Sequence, residues 1–151
     1  MQLNERKLEE LSTLRYHYFT CPFVKYPDVQ ALVVSFHGQY GYGSKGNGDA
    51  IFMTAVIKAG LAAWHTSALI LDLREMVYEW GDMIGSAIDA GAGQYIKARF
   101  PTAVVISKLN RDGLTTFVEK EMGDEPSHWL FESLEDALHH VQGQYPTKSA
   151  A

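Results

Sequence analysis

The stretch Ser67-Ala68-Leu69-Ile70-Leu71-Asp72-Leu73 decides the fold class of this chain. Its apolar residues follow one another without alternation, a pattern typical of a strand that is covered on both faces of a sheet. A largely apolar helix, capped by Asp49, is predicted just before it, from Ala50 to about Trp64. A buried strand that follows a helix indicates an α/β protein.

The N-terminal part of the chain predicts a helix and a β-hairpin. Between Asn4 and about Tyr16, apolar residues recur at intervals of three and four, which favours an amphipathic helix. Two apolar runs, 18–26 and 30–37, then flank the turn pair Pro27-Asp28, an arrangement typical of a hairpin. We therefore expect an extra helix and two antiparallel strands ahead of the buried strand.

After the buried strand, helices and strands continue to alternate. A loop is predicted over 74–81, and the helices and strands that follow it are predicted at 82–90, 102–107, 112–122, 128–131 and from Ser133 onward. Because each crossover helix returns the chain to the same end of the sheet, these strands are expected to pair mostly in parallel. Their carboxyl ends then share one edge, where such sheets usually bind ligands.

The predicted organisation is an α/β fold with a mostly parallel sheet, an N-terminal β-hairpin and an extra N-terminal helix. We expect the amphipathic helix over 1–18, a single α/β domain over 19–143, and a loose C-terminal tail over 144–151. A length of 151 residues matches one domain with a real core.

Composition disfavours several classes of protein. A net charge of −5 would repel nucleic acid and anionic membrane over most of the surface. Cys21 is the only cysteine, so an intramolecular disulfide is impossible and a reducing compartment such as the cytoplasm fits best. The first thirty residues have no signal-peptide pattern and no apolar stretch reaches about 18 residues, so we expect neither secretion nor a membrane span.

The segment from Gly38 to Gly48 carries five glycines and predicts a long loop. Within it, 41–46 fits the dinucleotide-binding pattern G-x-G-x-x-G, whose backbone amides hold phosphate. However, the predicted helix begins only after two further glycines, and Asp72 lies too far along for the ribose-binding acid of that motif. The loop is therefore either a surface loop without a ligand or a phosphate site, with the candidate ligands Gly41, Gly43, Ser44, Lys45 and Gly46.

No set of residues predicts catalysis or a metal site. Several charged residues crowd one segment, where an acid at a strand end could act as a general base: Asp72, Arg74, Glu75, Glu79 and Asp82. No histidine or nucleophile lies at a spacing that completes a catalytic set, and no two histidines have the i, i+4 spacing of a helical zinc site. We predict no catalytic residue, no metal ligand and no cofactor.

Several of these segments resemble the STAS domain of anti-sigma-factor antagonists. The run 31–38 is similar to the hairpin strand of that family, 69–73 to its second strand, and 130–138 to its closing strand and helix. The resemblance spans about Cys21 to Val141 and implies a STAS-like fold. The family's phosphorylatable serine falls on Gly81 without gaps, or on Met83 with a two-residue insertion, so that serine is absent here.

The resemblance also implies a protein-binding surface near 78–85, in the loop after the buried strand. Trp80 is expected at its centre because tryptophan is over-represented among binding hot spots; the alternative is that it covers the sheet edge. Two loop tyrosines can serve as further anchors or as packing residues. The predicted partner-binding residues are Tyr78, Glu79, Trp80, Gly81, Asp82 and Met83, together with Tyr40 and Tyr42.

Two classes of function remain open at this point. The first is a non-enzymatic, STAS-like regulator that binds a protein partner; an acidic inhibitor of a basic toxin, that is, an immunity protein, belongs to the same class. The second is a small-molecule or nucleotide-binding enzyme that uses the glycine loop and Asp72. A monomer and a homodimer are both compatible with the sequence.

Overall fold

A five-stranded sheet forms the centre of the protein, whose computed structural model describes residues 1–95 and 98–145. The strands are β1 (Arg15–Pro22), β2 (Gln30–Gln39), β3 (Ala68–Val77), β4 (Thr102–Val105) and β5 (Leu130–Phe131). They lie side by side in chain order; β1 and β2 are antiparallel, and the other neighbours are parallel. The prediction of an α/β fold with a mostly parallel sheet and an N-terminal hairpin is confirmed.

Helices cover both faces of this sheet. They are α1 (Asn47–Trp64), α2 (Ile84–Ile88), α3 (Arg111–Lys120) and α4 (Leu134–Gln144). The first three contribute to one apolar core with the side chains of β2 and β3 that point to their face, whereas α4 packs Ala137 and Val141 against the other face. The strand 68–73 is buried from both sides, as its continuous apolar run predicts.

The predicted N-terminal helix is wrong. The only helical part of this segment is one 3₁₀ turn at Leu8–Leu11. The backbone is already extended at Ser12, before β1 begins at Arg15. The cause is a contact distant in sequence: the Ser12 hydroxyl donates to the Asp49 carboxylate over 2.5 Å and accepts from the Leu14 amide over 3.0 Å. Residue 18, the predicted end of that helix, therefore lies within β1.

Pairing along the sheet also moves several other boundaries. Strand β3 continues to Val77 because it stays paired with β2 as far as Gln39, so the predicted loop 74–81 begins only at Tyr78. Gly38 and Gln39 belong to β2, and α1 begins at Asn47, which shortens the glycine loop at both ends.

Two of the three predicted helix caps differ from the structure. Asp49 lies inside the first turn of α1 rather than at its cap, and Asp82 makes no capping bond to α2. At α4 the prediction is right, since the Ser133 hydroxyl accepts from the Asp136 amide. The predicted tail 144–151 begins one residue too early, because Gln144 is the last residue of α4 and Tyr145 is its C-cap. Residues 146–151 of that tail lie outside the described residues.

Candidate partner-binding surface

Two loops meet at the carboxyl edge of β2 and β3: loop 40–46 and loop 78–83. Backbone hydrogen bonds join them, since the Tyr40 amide donates to the Val77 carbonyl over 2.9 Å and the Gly43 amide to the Trp80 carbonyl over 2.8 Å. Because both loops follow buried parallel strands, their position is fixed by the sheet. Parallel sheets usually bind their ligands at this carboxyl edge.

Four aromatic side chains of these loops form two layers. On the outside, Tyr42 is 64% exposed and Trp80 is 49% exposed, and their ring centroids are 6.1 Å apart. Beneath them, Tyr40 and Tyr78 are buried edge to face, with centroids 5.2 Å apart. We call the exposed pair Tyr42 and Trp80 the aromatic surface.

The other predicted contact residues divide by exposure. Glu79 and Asp82 are exposed beside the aromatic surface, and Met83 is half-buried. Gly81 is buried, as are the two inner tyrosines. The structure thus brings all eight predicted residues together, but it places five of them at the surface or its margin and three underneath it.

Glycine is required where the two loops touch. Gly43 has φ +61°, and a Cβ atom there would lie 3.2 Å from the Trp80 ring. Gly81 has φ +154°, and a Cβ atom there would lie 3.1 Å from both the Gly43 carbonyl oxygen and the Tyr40 ring. A Cβ atom on Gly46 would overlap the Tyr40 ring. Close packing within loop 40–46 and between the two loops therefore accounts for these glycines without a ligand.

Three of the five amides expected to hold a phosphate already have hydrogen-bond partners. The Gly41 amide donates to the Asp49 carboxylate over 2.8 Å, the Gly43 amide to Trp80, and the Lys45 amide to the Tyr42 carbonyl over 3.2 Å. Ser44 and Lys45 have exposed side chains. A phosphate would have to displace a carboxylate from this loop, so the geometry gives the phosphate hypothesis no support.

A buried asparagine that the sequence reasoning missed holds the edge in place. Asn110, 2% exposed at the N-terminus of α3, donates through Nδ2 to the Leu73 carbonyl over 2.6 Å and to the Met76 carbonyl over 2.9 Å. Its Oδ1 accepts from the Ser107 amide over 3.0 Å. The available signal was an asparagine directly ahead of a helix, since Asn is favoured there.

The buried tyrosines stay neutral. Burial raises the pKa of Tyr40, and Tyr78, Asp49 and Asp82 raise it further. Burial and then Asp82 raise the pKa of Tyr78, whose hydroxyl donates to the Gly81 carbonyl over 2.9 Å. The Tyr40 hydroxyl has no hydrogen-bond partner among the described residues.

A hollow of about 270 Å³ lies between the start of loop 78–83 and the residues around the start of α3. Leu109 on its wall is 38% exposed. Lys108 and the carboxylates of Glu79 and Asp112 also line it.

Two negative observations concern the described residues alone. Over residues 1–95 and 98–145, no helix is long and apolar enough to cross a membrane. In the same ranges, no three side chains of His, Cys, Asp and Glu are grouped as metal ligands would be.

Comparison with known proteins gives a likeness of fold. No protein-family model and no curated protein matches this chain. The chain is similar to the crystal structure of an anti-sigma factor antagonist from Mycobacterium paratuberculosis, with 20% sequence identity and a TM-score of 0.52. The match covers 85% of this chain and 95% of the other. The STAS-like fold expected from the sequence is thereby confirmed.

Proposed function

We propose that this chain is a cytoplasmic, non-enzymatic interaction module that binds a protein partner through the aromatic surface. The observation that carries this proposal is the exposed pair Tyr42 and Trp80, held on two loops that are bonded to each other. Large aromatic side chains on a fixed support lose little conformational entropy on binding and dominate the energetics of many interfaces. The similar structure is named for antagonism of another protein, an anti-sigma factor.

Charge indicates what kind of partner would fit. Glu79 and Asp82 flank the aromatic surface, and the whole chain carries a charge of −5. Acidic groups at the rim favour a partner with a basic patch, because complementary charge speeds association and disfavours wrong partners. A STAS-like regulator and an immunity protein against a basic toxin both belong to this class.

Phosphorylation at the start of α2 is not part of the proposal. Residues 81–83, just before Ile84, are Gly, Asp and Met and offer no hydroxyl group. Control by a phosphate at this helix start would need one. Binding is therefore proposed to depend on the aromatic surface without phosphorylation at this helix start.

Affinity capture from the native cell with three forms of the chain tests the proposal. Trp80→Ala removes the centre of the surface, and Trp64→Ala is a matched control because Trp64, at the end of α1, is also 49% exposed. We expect wild type and Trp64→Ala to recover the same stoichiometric protein. Trp80→Ala should weaken that complex by about 2 kcal/mol, or roughly 30-fold.

Two results would refute the proposal. The first is the recovery of no stoichiometric protein by the folded wild-type chain. The second is a complex that Trp80→Ala and Trp64→Ala retain equally, with circular dichroism confirming that both variants are folded.

A further inference from the structure

A groove of about 750 Å³ lies on the sheet face that carries α4, away from the core formed by α1. Helix α4 covers β3 and its neighbours on this face but leaves the edge strand β1 uncovered. Phe19 of β1 consequently remains 56% exposed inside the groove. The volume falls within the range of about 300–1,000 Å³ that is usual for small-molecule sites.

The groove has an apolar middle formed by three strands and the helix. Phe19, Val33 and Ile70 line it from neighbouring strands, and Leu134 and Leu138 line it from α4. Cys21, the only cysteine of the chain, marks the end farthest from the carboxyl edge of the sheet. The apolar body of a bound ligand would displace water from all of these side chains at once, which favours binding.

Polar groups gather at the opposite end, at the carboxyl edge. Ser35 is opposite Asp72 in the sheet, and His37 is opposite Glu75, so β3 has one residue more than β2 between these pairs. This is a β-bulge, which commonly re-aims side chains beside binding sites. Leu73 and Met76 both pack into the core on the far face, and Arg74 and Glu75 between them both line the groove.

His17 and His37 also line the groove, with their ring centroids 5.4 Å apart and His37 Nε2 3.3 Å from the Ser35 hydroxyl. With both imidazoles counted as neutral at pH 7, the charged side chains at this end leave an excess of carboxylate. Arg74 donates through Nε and Nη2 to the two carboxylate oxygens of Asp72, each over 2.8 Å, so these two charges offset each other. The start of α4 adds Glu135 to Glu75 at the same end. Among the described residues, neither glutamate forms an ion pair. A ligand that is complementary to this end therefore carries positive charge.

We propose that the groove binds a small amphiphilic cation, with its apolar body against Phe19, Val33 and Leu138 and its ammonium group at the end formed by Glu75 and Glu135. The volume, the apolar middle and the unpaired carboxylates at one end together select this chemistry. The site is separate from the aromatic surface and does not depend on the proposed protein partner.

Cys21 provides a reporter for occupancy, because it is the only thiol and lies in the groove. Decylamine is the probe, and decanoate is its matched control with the same chain length and the opposite charge. We expect decylamine to slow the alkylation of Cys21 by iodoacetamide in a saturable way. Decanoate at equal concentration should protect about tenfold less well, and calorimetric titration should give the same order.

Two double variants separate the effect of the groove carboxylates from the effect of the protein's overall negative charge. The double change Glu75→Gln and Glu135→Gln should raise the half-protecting concentration of decylamine about tenfold. The double change Glu9→Gln and Glu119→Gln removes the same charge at exposed positions outside the groove and should leave it unchanged.

Each of three outcomes would overturn the proposal. Equal protection of Cys21 by decylamine and decanoate would mean that the groove does not select a cation. If neither probe protected Cys21 or gave a binding signal in calorimetry, neither would bind. Protection of Cys21 that rises with protein concentration alone would mean that a second copy of the chain occupies the groove.

Discussion

Tyr40 and Tyr78 contact each other beneath the aromatic surface, but their hydroxyl groups differ in hydrogen bonding. The Tyr78 hydroxyl bonds to Gly81, whereas that of Tyr40 has no partner among the described residues. We expect Tyr78→Phe to lower the free energy of unfolding by about 1 kcal/mol, and Tyr40→Phe to leave it unchanged or raise it. Urea denaturation measures both; an equal loss in the two variants would contradict this assignment.

The same two tyrosines predict a loss of stability in alkali. Their pKa values are raised in the folded protein, chiefly by burial, so above the unfolded tyrosine pKa of about 10 the unfolded chain releases protons that the folded chain retains. The free energy of unfolding should be fully present below about pH 10 and fall above it. In the Tyr40→Phe/Tyr78→Phe double variant the fall should be smaller; an unchanged slope would rule out these two residues as its source.

At the scale of elements, Asn110 joins the end of β3 to the start of α3. Asn110→Ala would leave the Leu73 and Met76 carbonyls and the Ser107 amide without their partner, and should lower the free energy of unfolding by about 2–3 kcal/mol. Asp112→Ala, exposed in the first turn of the same helix, should stay within about 0.5 kcal/mol of wild type. Comparable effects of the two changes in thermal or urea denaturation would contradict the role given to Asn110.

Elements with a local signal could be predicted from the sequence, and those set by distant contacts could not. The apolar run 68–73, the helix ending at Trp64 and the cap at Ser133 depend on nearby residues, and all three are present. The N-terminal segment has helical spacing, but the bond from Ser12 to Asp49 and the pairing of Arg15 with His37 draw it into the sheet. Spacing along the chain does not contain such contacts.

At the scale of the whole molecule, the fold predicts at which sheet edge the candidate surface lies better than which side chains form it. Parallel strands bring loops 40–46 and 78–83 together, so the general place of the aromatic surface followed from strand order. The sequence did not distinguish the exposed Tyr42 and Trp80 from the buried Tyr40 and Tyr78. Side chains of a strand alternate between the two faces of a sheet, whereas those of a loop follow no such rule. The groove exists because α4 leaves part of the sheet face at β1 uncovered. The apolar pattern of the strands does not predict where a helix packs on the sheet.

Amide hydrogen exchange of the chain, alone and in complex with its captured partner, would show whether the partner binds at the aromatic surface. We expect slower exchange on binding at 40–46 and 78–83, with little change at 17–21 and 134–138, which contribute to the groove on the other face. Protection confined to the groove segments, or none in either loop at saturating partner, would show that the partner does not bind through the aromatic surface.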